Sequence, residues 1–342
     1  MKKVLKLSLT LALSLSLFAC KRKHNTDKTK TGSDTSQKSS TDDNPVVNKQ
    51  YERNGNTIYF GMYPQKLETD ASKKASLEEK ITAFDGPANA TSKGWIKQID
   101  YASNSTREAY YYRAIHIYKY KNYNTSQPYE ASSIWYHQDP TTYQEGNTYF
   151  FKYEKIKWDI LEESDGKAYL YANLALDAYY FEKCTDNKEV EYSHGGKYGY
   201  ANNYELSSIR KWLNEDFYNL SFNDLQKQII IQTEVKNGSS SVTDTTNDFV
   251  CSNTYDYVTL LSEKEAVTYF PTDASRIYTK SILTDYAIIQ DADYTQVLLR
   301  SPAKNYAYNI KFINNQMENG DISYASANYA LYAIRPVIVI TL

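Results

Sequence analysis

The sequence predicts an α+β fold, a mixed and mainly antiparallel sheet carrying a few short helices. Three observations support this. Apolar, β-branched or alternating runs recur at residues 148–153, 156–162, 167–172 and 337–340, the pattern expected of strands. Apolar residues at helical spacing occupy two short stretches, Ile209 to Phe217 and Phe222 to Ile230. Strands and helices do not alternate as βαβ units, which argues against a parallel α/β sheet.

Each element has a local reason. Thr57–Phe60 reads as a strand that ends at Tyr63-Pro64-Gln65, because proline donates no ladder hydrogen bond. Residues 66–148 are polar, tyrosine-rich and weakly periodic, with a helix expected over Ser76–Phe84. Three successive strands follow, the last two joined by an Asp165-Gly166 hairpin turn. Ile209, Trp212, Leu213 and Phe217 share one helical face, with Ser207 or Ser208 to cap it. Ser221 is expected to open a second helix bearing Phe222, Leu225, Ile229 and Ile230. Tyr257–Leu261 reads as a strand, and Ser262 with Glu265 forms a capping box for a helix through Phe270. The closing run Val337-Ile338-Val339-Ile340 is apolar enough to sit in the centre of a sheet.

The N-terminus reads differently. Lys2 and Lys3 precede an apolar run from Leu7 to Ala19, too short to span a bilayer and suited to a signal peptide. Leu17-Phe18-Ala19-Cys20 resembles the bacterial lipobox, with Phe18 bulkier than usual at its position. That resemblance implies cleavage after Ala19 and lipid attachment to Cys20, so the expected partner is a membrane and the expected location extracytoplasmic. Residues 21–50 are rich in Ser, Thr, Lys, Asp and Asn and lack aromatics, too polar to offset the entropy of ordering. A coil of that length spans about 30 Å. The expected organisation is therefore a signal peptide over 1–19, lipidated Cys20 with a tether over 20–50, a strand and tyrosine-rich insertion over 51–148, and a main α+β domain over 149–342.

Composition narrows the function classes. Residues 51–342 hold 29 Lys and Arg against 37 Asp and Glu, which opposes a nucleic-acid partner. The chain has 35 Tyr against 11 Phe and 4 Trp. That excess fits a recognition surface, since tyrosine offers a stacking ring and a hydroxyl. It equally fits AT-rich codon usage and half-buried strands.

No catalytic or metal constellation is legible. His116, His137 and His194 have no paired spacing, and Asp291-Ala292-Asp293 and Asp244 to Asp248 lack the calcium-loop pattern. The carboxylate pair Glu162/Glu163 carries no cleft geometry in sequence. There is no G-x-S-x-G and no P-loop. No cofactor is expected, and the balance leans away from an enzyme. Cys184 and Cys251 can pair outside the cytoplasm, although the count does not require it.

An ordered set of motifs resembles an uncharacterised bacterial family, domain of unknown function 6273. The motifs are Phe60-Gly61-x-Tyr63-Pro64-Gln65, Ile156-Lys157-Trp158-x-Ile160-Leu161 and Ala175-Leu176-Asp177. They continue with Glu205-x-Ser207-Ser208-Ile209-Arg210-Lys211-Trp212-Leu213-Asn214 and Val258-x-Leu260-Leu261-Ser262-x-x-Glu265-Ala266-x-x-Tyr269-Phe270. Leu299-Arg300-Ser301-Pro302 and Arg335-Pro336 close the set. Val297-Leu298, Tyr204 and Ala333-Ile334 depart from the family pattern, the first two where tryptophan is frequent. A change at a binding surface is one consequence the departures could have.

The family pattern is in turn similar to the C-type-lectin-like and formylglycine-generating-enzyme-like fold. That resemblance implies pairing between the first and last strands. It also implies copper-binding reactive cysteines, but Cys184 and Cys251 lie in separate segments without an electropositive setting, so structural or free thiols are expected. Arg300, Arg335 and Arg210, with Trp158 and Trp212, either line a ligand cleft or belong to the core. For Arg300 and Arg335 the structural role is the expectation, with Glu205 or Asp177 as partners, because an unpaired charge beside an apolar strand is costly. The functional expectation is a membrane-anchored surface lipoprotein whose lectin-like domain binds a glycan or protein. A non-catalytic envelope-structural role, or an enzyme acting on envelope polymers, are the alternatives.

Overall fold

The computed structural model describes residues 50–80, 90–91, 94–102, 111–117, 143, 147–182, 192–194, 197–290, 292–304, 306–327 and 332–342. The expected signal segment, Cys20, the tether to residue 49, Cys184, His137 and Asp291 lie outside the described residues. Residues 48–342 form one compact unit. No helix among the described residues is long and apolar enough to cross a membrane.

The first strands are β1 (Glu52–Asn54), β2 (Thr57–Leu67), β3 (Ala90–Thr91), β4 (Gly94–Ala102), β5 (Tyr111–Ile117) and β6 (Thr148–Ser164). Next come β7 (Lys167–Ala172), β8 (Asp177–Tyr179), β9 (Tyr192–His194), β10 (Lys197–Gly199), β11 (Thr233–Val235) and β12 (Thr254–Asp256). The rest are β13 (Val258–Thr259), β14 (Asp293–Pro302), β15 (Asn309–Asn314), β16 (Asp321–Ser326), β17 (Tyr332–Ile334) and β18 (Val337–Thr341). The α-helices are α1 (Ala71–Lys80), α2 (Ser208–Trp212), α3 (Tyr218–Ser221), α4 (Asp224–Lys227), α5 (Glu263–Tyr269) and α6 (Asp285–Ile289).

Two sheets dominate. The larger has the order β13-β18-β7-β6-β5-β4-β3, with β2 on the other side of β6 and β1 paired to β2. The smaller has the order β16-β15-β14-β17-β8, antiparallel throughout except for the parallel pair β14 and β17. This is an α+β architecture, as expected.

Local chemistry explains the elements that follow expectation. Asp165 and Gly166 both take positive φ, 49° and 69°, the two-residue geometry that matches strand twist in a hairpin. Ser262 and Glu265 make the reciprocal capping box that opens α5. Strand β18 lies between β13 and β7, and its Val337, Ile338 and Ile340 are buried.

Elsewhere the structure corrects the reading. The runs 148–153 and 156–162 are a single strand, β6. Its polar Glu154 and Lys155 stay in the ladder by pairing with Tyr63 and Met62 of β2. Strand β2 likewise runs through Pro64 to Leu67. The register shifts on both sides of Pro64, and Gln65 Nε2 donates to the Glu154 and Lys155 carbonyls at 2.9 and 3.3 Å. A side chain thus supplies donors where the irregular ladder does not.

Helix α1 begins earlier than Ser76, because the Asp70 carboxylate accepts from Ser72 N and Lys73 N at 2.9 and 3.0 Å. The stripe of Ile209, Trp212, Leu213 and Phe217 passes through a π-turn at Leu213–Phe217. Ser221 ends that stretch instead of opening another, and Asn223 caps the short α4. The first and last strands do not pair, since β6 and β7 lie between β2 and β18.

Period-two alternation distributes the core. On β14, Leu298 joins the larger apolar cluster, which holds Trp158, Phe217 and Tyr286. Its neighbours Val297 and Leu299 join a second cluster with Tyr171, Leu261 and Val337. The smaller sheet is therefore covered on both faces at β14. The departures at Val297-Leu298, Tyr204 and Ala333-Ile334 are all buried, so they alter the core and not a binding surface.

Gly61 shows why the Phe60-Gly61 motif needs glycine. Its φ is +74°, and an added Cβ would lie 2.5 Å from the Phe222 ring. Gly166 has φ +69° with open space around it. Gly61→Ala is expected to destabilise by about 2–4 kcal/mol, from strain and overpacking together, and Gly166→Ala by only about 1–2 kcal/mol. Urea unfolding of both variants checks this, and equal losses would contradict the packing argument.

Candidate functional site

Of the sequence-marked arginines, Arg300 and Arg335 are buried and Arg210 is partly buried. Arg300, on β14, is 3 % exposed. Its Nη1 and Nη2 donate to both Glu265 oxygens at 2.5 and 2.8 Å, and further donations reach the Leu260 and Lys236 carbonyls. The partner is Glu265, not Glu205 or Asp177, because the capping box at Ser262 aims Glu265 back across the start of α5. Ser301 accepts from Glu263 N at 2.8 Å, so adjacent residues of β14 hold the same helix end.

Arg335 is 4 % exposed and lies between two rings, 3.9 Å from the Tyr171 centroid and 4.9 Å from that of Tyr278. Its Nε donates to the Ala172 carbonyl and its Nη2 to that of Asn173, with Asp159 3.9 Å away. Two aromatic faces and two carbonyls thus share the charge. Arg210 pairs with buried Asp256 at 2.7 Å and donates to the Glu205 carbonyl. Asp177 instead accepts from the Tyr63 hydroxyl at 2.5 Å.

Trp158 is fully buried and donates to the Phe60 carbonyl at 2.8 Å. Trp212 is half-buried and stacks on Tyr179 with centroids 4.9 Å apart. Cys251 carries a free thiol, and burial pushes its pKa up, the opposite of activation. Among the described residues no three His, Cys, Asp or Glu side chains converge where a metal ion could be held.

Tyr255 of β12 is exposed singly among the described residues' ring contacts, whereas a cluster of exposed rings lies at one end of the smaller sheet. Tyr306, in the loop from β14 to β15, and Tyr324, on β16, are 42 % and 46 % exposed. Their ring centroids are 5.9 Å apart with planes inclined by 36°, and Tyr308 lies 5.8 Å from Tyr306. Together the rings form a patch of aromatic surface with hydroxyl edges.

Buried groups fix this patch from below. Asn202 is fully buried, and its Nδ2 donates to the Tyr306 and Asn309 carbonyls at 2.9 and 3.1 Å. Its backbone N–H donates to the Ala307 carbonyl. Ala303 N reaches the Asn309 carbonyl, and Ala327 N the Tyr308 carbonyl. Asn247 Nδ2 holds the Pro302 carbonyl at 3.0 Å, where the loop leaves β14.

Two ion pairs border the rings. Lys304 Nζ donates to Asp244 Oδ2 at 2.6 Å and to Thr246 Oγ1 at 2.7 Å. The Lys304 and Thr246 hydrogen bonds lower the Asp244 pKa to about 2. Lys311, directly across the ladder from Tyr324, lies 3.4 Å from Glu263, which also accepts from Thr243. Sequence reading missed the patch, because nothing in a chain with 35 tyrosines marks which of them meet at the surface.

Fold and surface together describe an α+β domain with a partly exposed aromatic patch. Residues 173–342 match the family model described as Domain of unknown function (DUF6273), and this part of the chain is similar to that family. The motifs at Phe60–Gln65 and Ile156–Leu161 precede the matched region, yet they build strands of the sheet that β7 and β18 share. No curated protein and no solved structure matches the chain.

The Arg300–Glu265 pair generates a pH prediction. Burial alone raises the Glu265 pKa, but the charge and hydrogen bonds of Arg300 bring it below the ordinary glutamate value. A carboxyl depressed in the fold adds stability above its unfolded pKa, and that stability is lost as pH falls through the folded value. Glu265→Gln is expected to cost about 3 kcal/mol near neutral pH, because Arg300 stays buried with its charge uncompensated. The gap to the parent should narrow as pH falls below about 4. Denaturant titrations across pH measure it, and a pH-independent gap would contradict the pairing.

Proposed function

We propose that this chain is a membrane-anchored bacterial surface lipoprotein whose folded domain binds glycans through the Tyr306, Tyr308 and Tyr324 patch. One observation carries the binding reading: two of these rings are strongly exposed and adjacent, on backbone held by fully buried Asn202. Exposed tyrosines are rigid, amphipathic contacts with little rotamer entropy to lose. A ring face suits the C–H face of a pyranose, and the phenol hydroxyls and neighbouring polar groups suit its hydroxyls. The buried placement of Arg300, Arg335 and Trp158 leaves this patch as the better-supported recognition surface.

Anchoring rests on the residues around Cys20. Several acyl chains at that cysteine would hold the domain at the membrane, since each buried methylene contributes about 0.8 kcal/mol. The polar segment that follows would let the domain reach ligands away from the bilayer.

Two experiments test the two halves. Cys20→Ser in the full chain should move the protein from the membrane fraction to the soluble one and abolish acyl labelling. Unchanged fractionation would remove the lipoprotein reading. On a glycan array, Tyr306→Ala with Tyr324→Ala should lower affinity at least about tenfold, while stability changes by less than about 1 kcal/mol, as exposed positions allow. Capture of a protein ligand in place of any glycan would reassign the patch to protein recognition.

A further inference from the structure

The charges that border the tyrosine patch are already committed to each other. Lys304 gives two hydrogen bonds, to Asp244 and Thr246. Lys311 faces Glu263, whose two oxygens also accept from Thr243. Each of these two lysines therefore comes with a carboxylate, and the two pairs sum to no net charge.

From this we infer that the ligand of the patch is an uncharged saccharide, one without carboxylate, sulfate or phosphate groups. The inference rests on the glycan reading of the patch and specifies its substrate class. An acidic sugar approaching Lys304 would also approach Asp244, and one approaching Lys311 would approach Glu263. Recruiting either lysine means breaking an existing pair and leaving its carboxylate beside the incoming anion, a like-charge contact that interfaces select against. The exposed pair itself is weak, so the repulsion from the stranded carboxylate decides the sign.

The wider field points the same way. Residues 51–342 carry 37 acidic against 29 basic side chains, so long-range steering disfavours an anionic polymer. What remains at the patch is ring surface and phenol hydroxyls. These recognise a neutral pyranose by stacking and hydrogen bonding, neither of which depends on counterions.

The test uses the full chain in detergent against cellotetraose and chitotetraose as neutral probes, and heparin and hyaluronan fragments as acidic ones. Affinity is measured from about 0.01 M to 1 M NaCl, which shrinks the Debye length from about 30 Å to about 3 Å. Binding of a neutral probe that changes less than about twofold over this range, and that is lost with Tyr306→Ala and Tyr324→Ala, supports the inference. Preference for an acidic probe, with affinity falling more than about tenfold as salt screens it, overturns the neutral-ligand inference and leaves the glycan reading standing. Binding to no saccharide of either set overturns both.

Discussion

A charged guanidinium inside the protein has to be surrounded by acceptors, and Arg300 organises much of the fold by that requirement. Four donations take in both Glu265 oxygens and the Leu260 and Lys236 carbonyls. They fasten β14 to the start of α5 and to the segment after β11. Glu265 can serve only because Ser262 and the capping box fix its direction. Ser301 adds a second attachment to the same helix end. The residues that follow, Pro302 to Tyr308, leave β14 from a fixed point, and the tyrosine patch inherits that position.

Polar groups inside the core come with a cost that apolar packing does not have. Guanidinium nitrogens can stay unpaired even here, as the buried Arg335 Nη1 does, and an unsatisfied buried group costs about 1–3 kcal/mol. The same atoms make alternative registers still worse, because any slip would strand the whole guanidinium. Their role is better read as specifying one arrangement of strands than as adding stability. Arg335 follows the same logic with aromatic faces: Tyr171 and Tyr278 hold it where β18 begins. The ordered motifs are accordingly fasteners. Asn214 illustrates it, donating to the Val258 carbonyl and accepting from Val258 N, so that it ties the π-turn to β13.

Where sequence reading succeeded, the signal was local. The hairpin at Asp165-Gly166, the capping box at Ser262 and the apolar strand at Val337–Ile340 each depend on a few neighbouring residues. Where it failed, a distant partner overrode the local signal. Pro64 stayed in a strand because β6 and the Gln65 side chain complete the ladder around it. Glu154 and Lys155 did not break β6, since their backbone groups pair with β2. The partners proposed for Arg300 were wrong because Glu205 and Asp177 are committed to other neighbourhoods, and only the packed chain shows that Glu265 is in reach.

The amino-acid sequence by itself determined the α+β class, the turns, the caps and the motif set that marks the family. These follow from backbone stereochemistry and short-range hydrogen bonding, which act over a few residues. The tertiary structure alone decided which tyrosines form a surface and which arginines are buried. Burial depends on which side chains lie above each residue, and those come from elsewhere in the chain: Tyr306, Tyr308 and Tyr324 meet because β15 and β16 pair and Asn202 closes the loop beneath them.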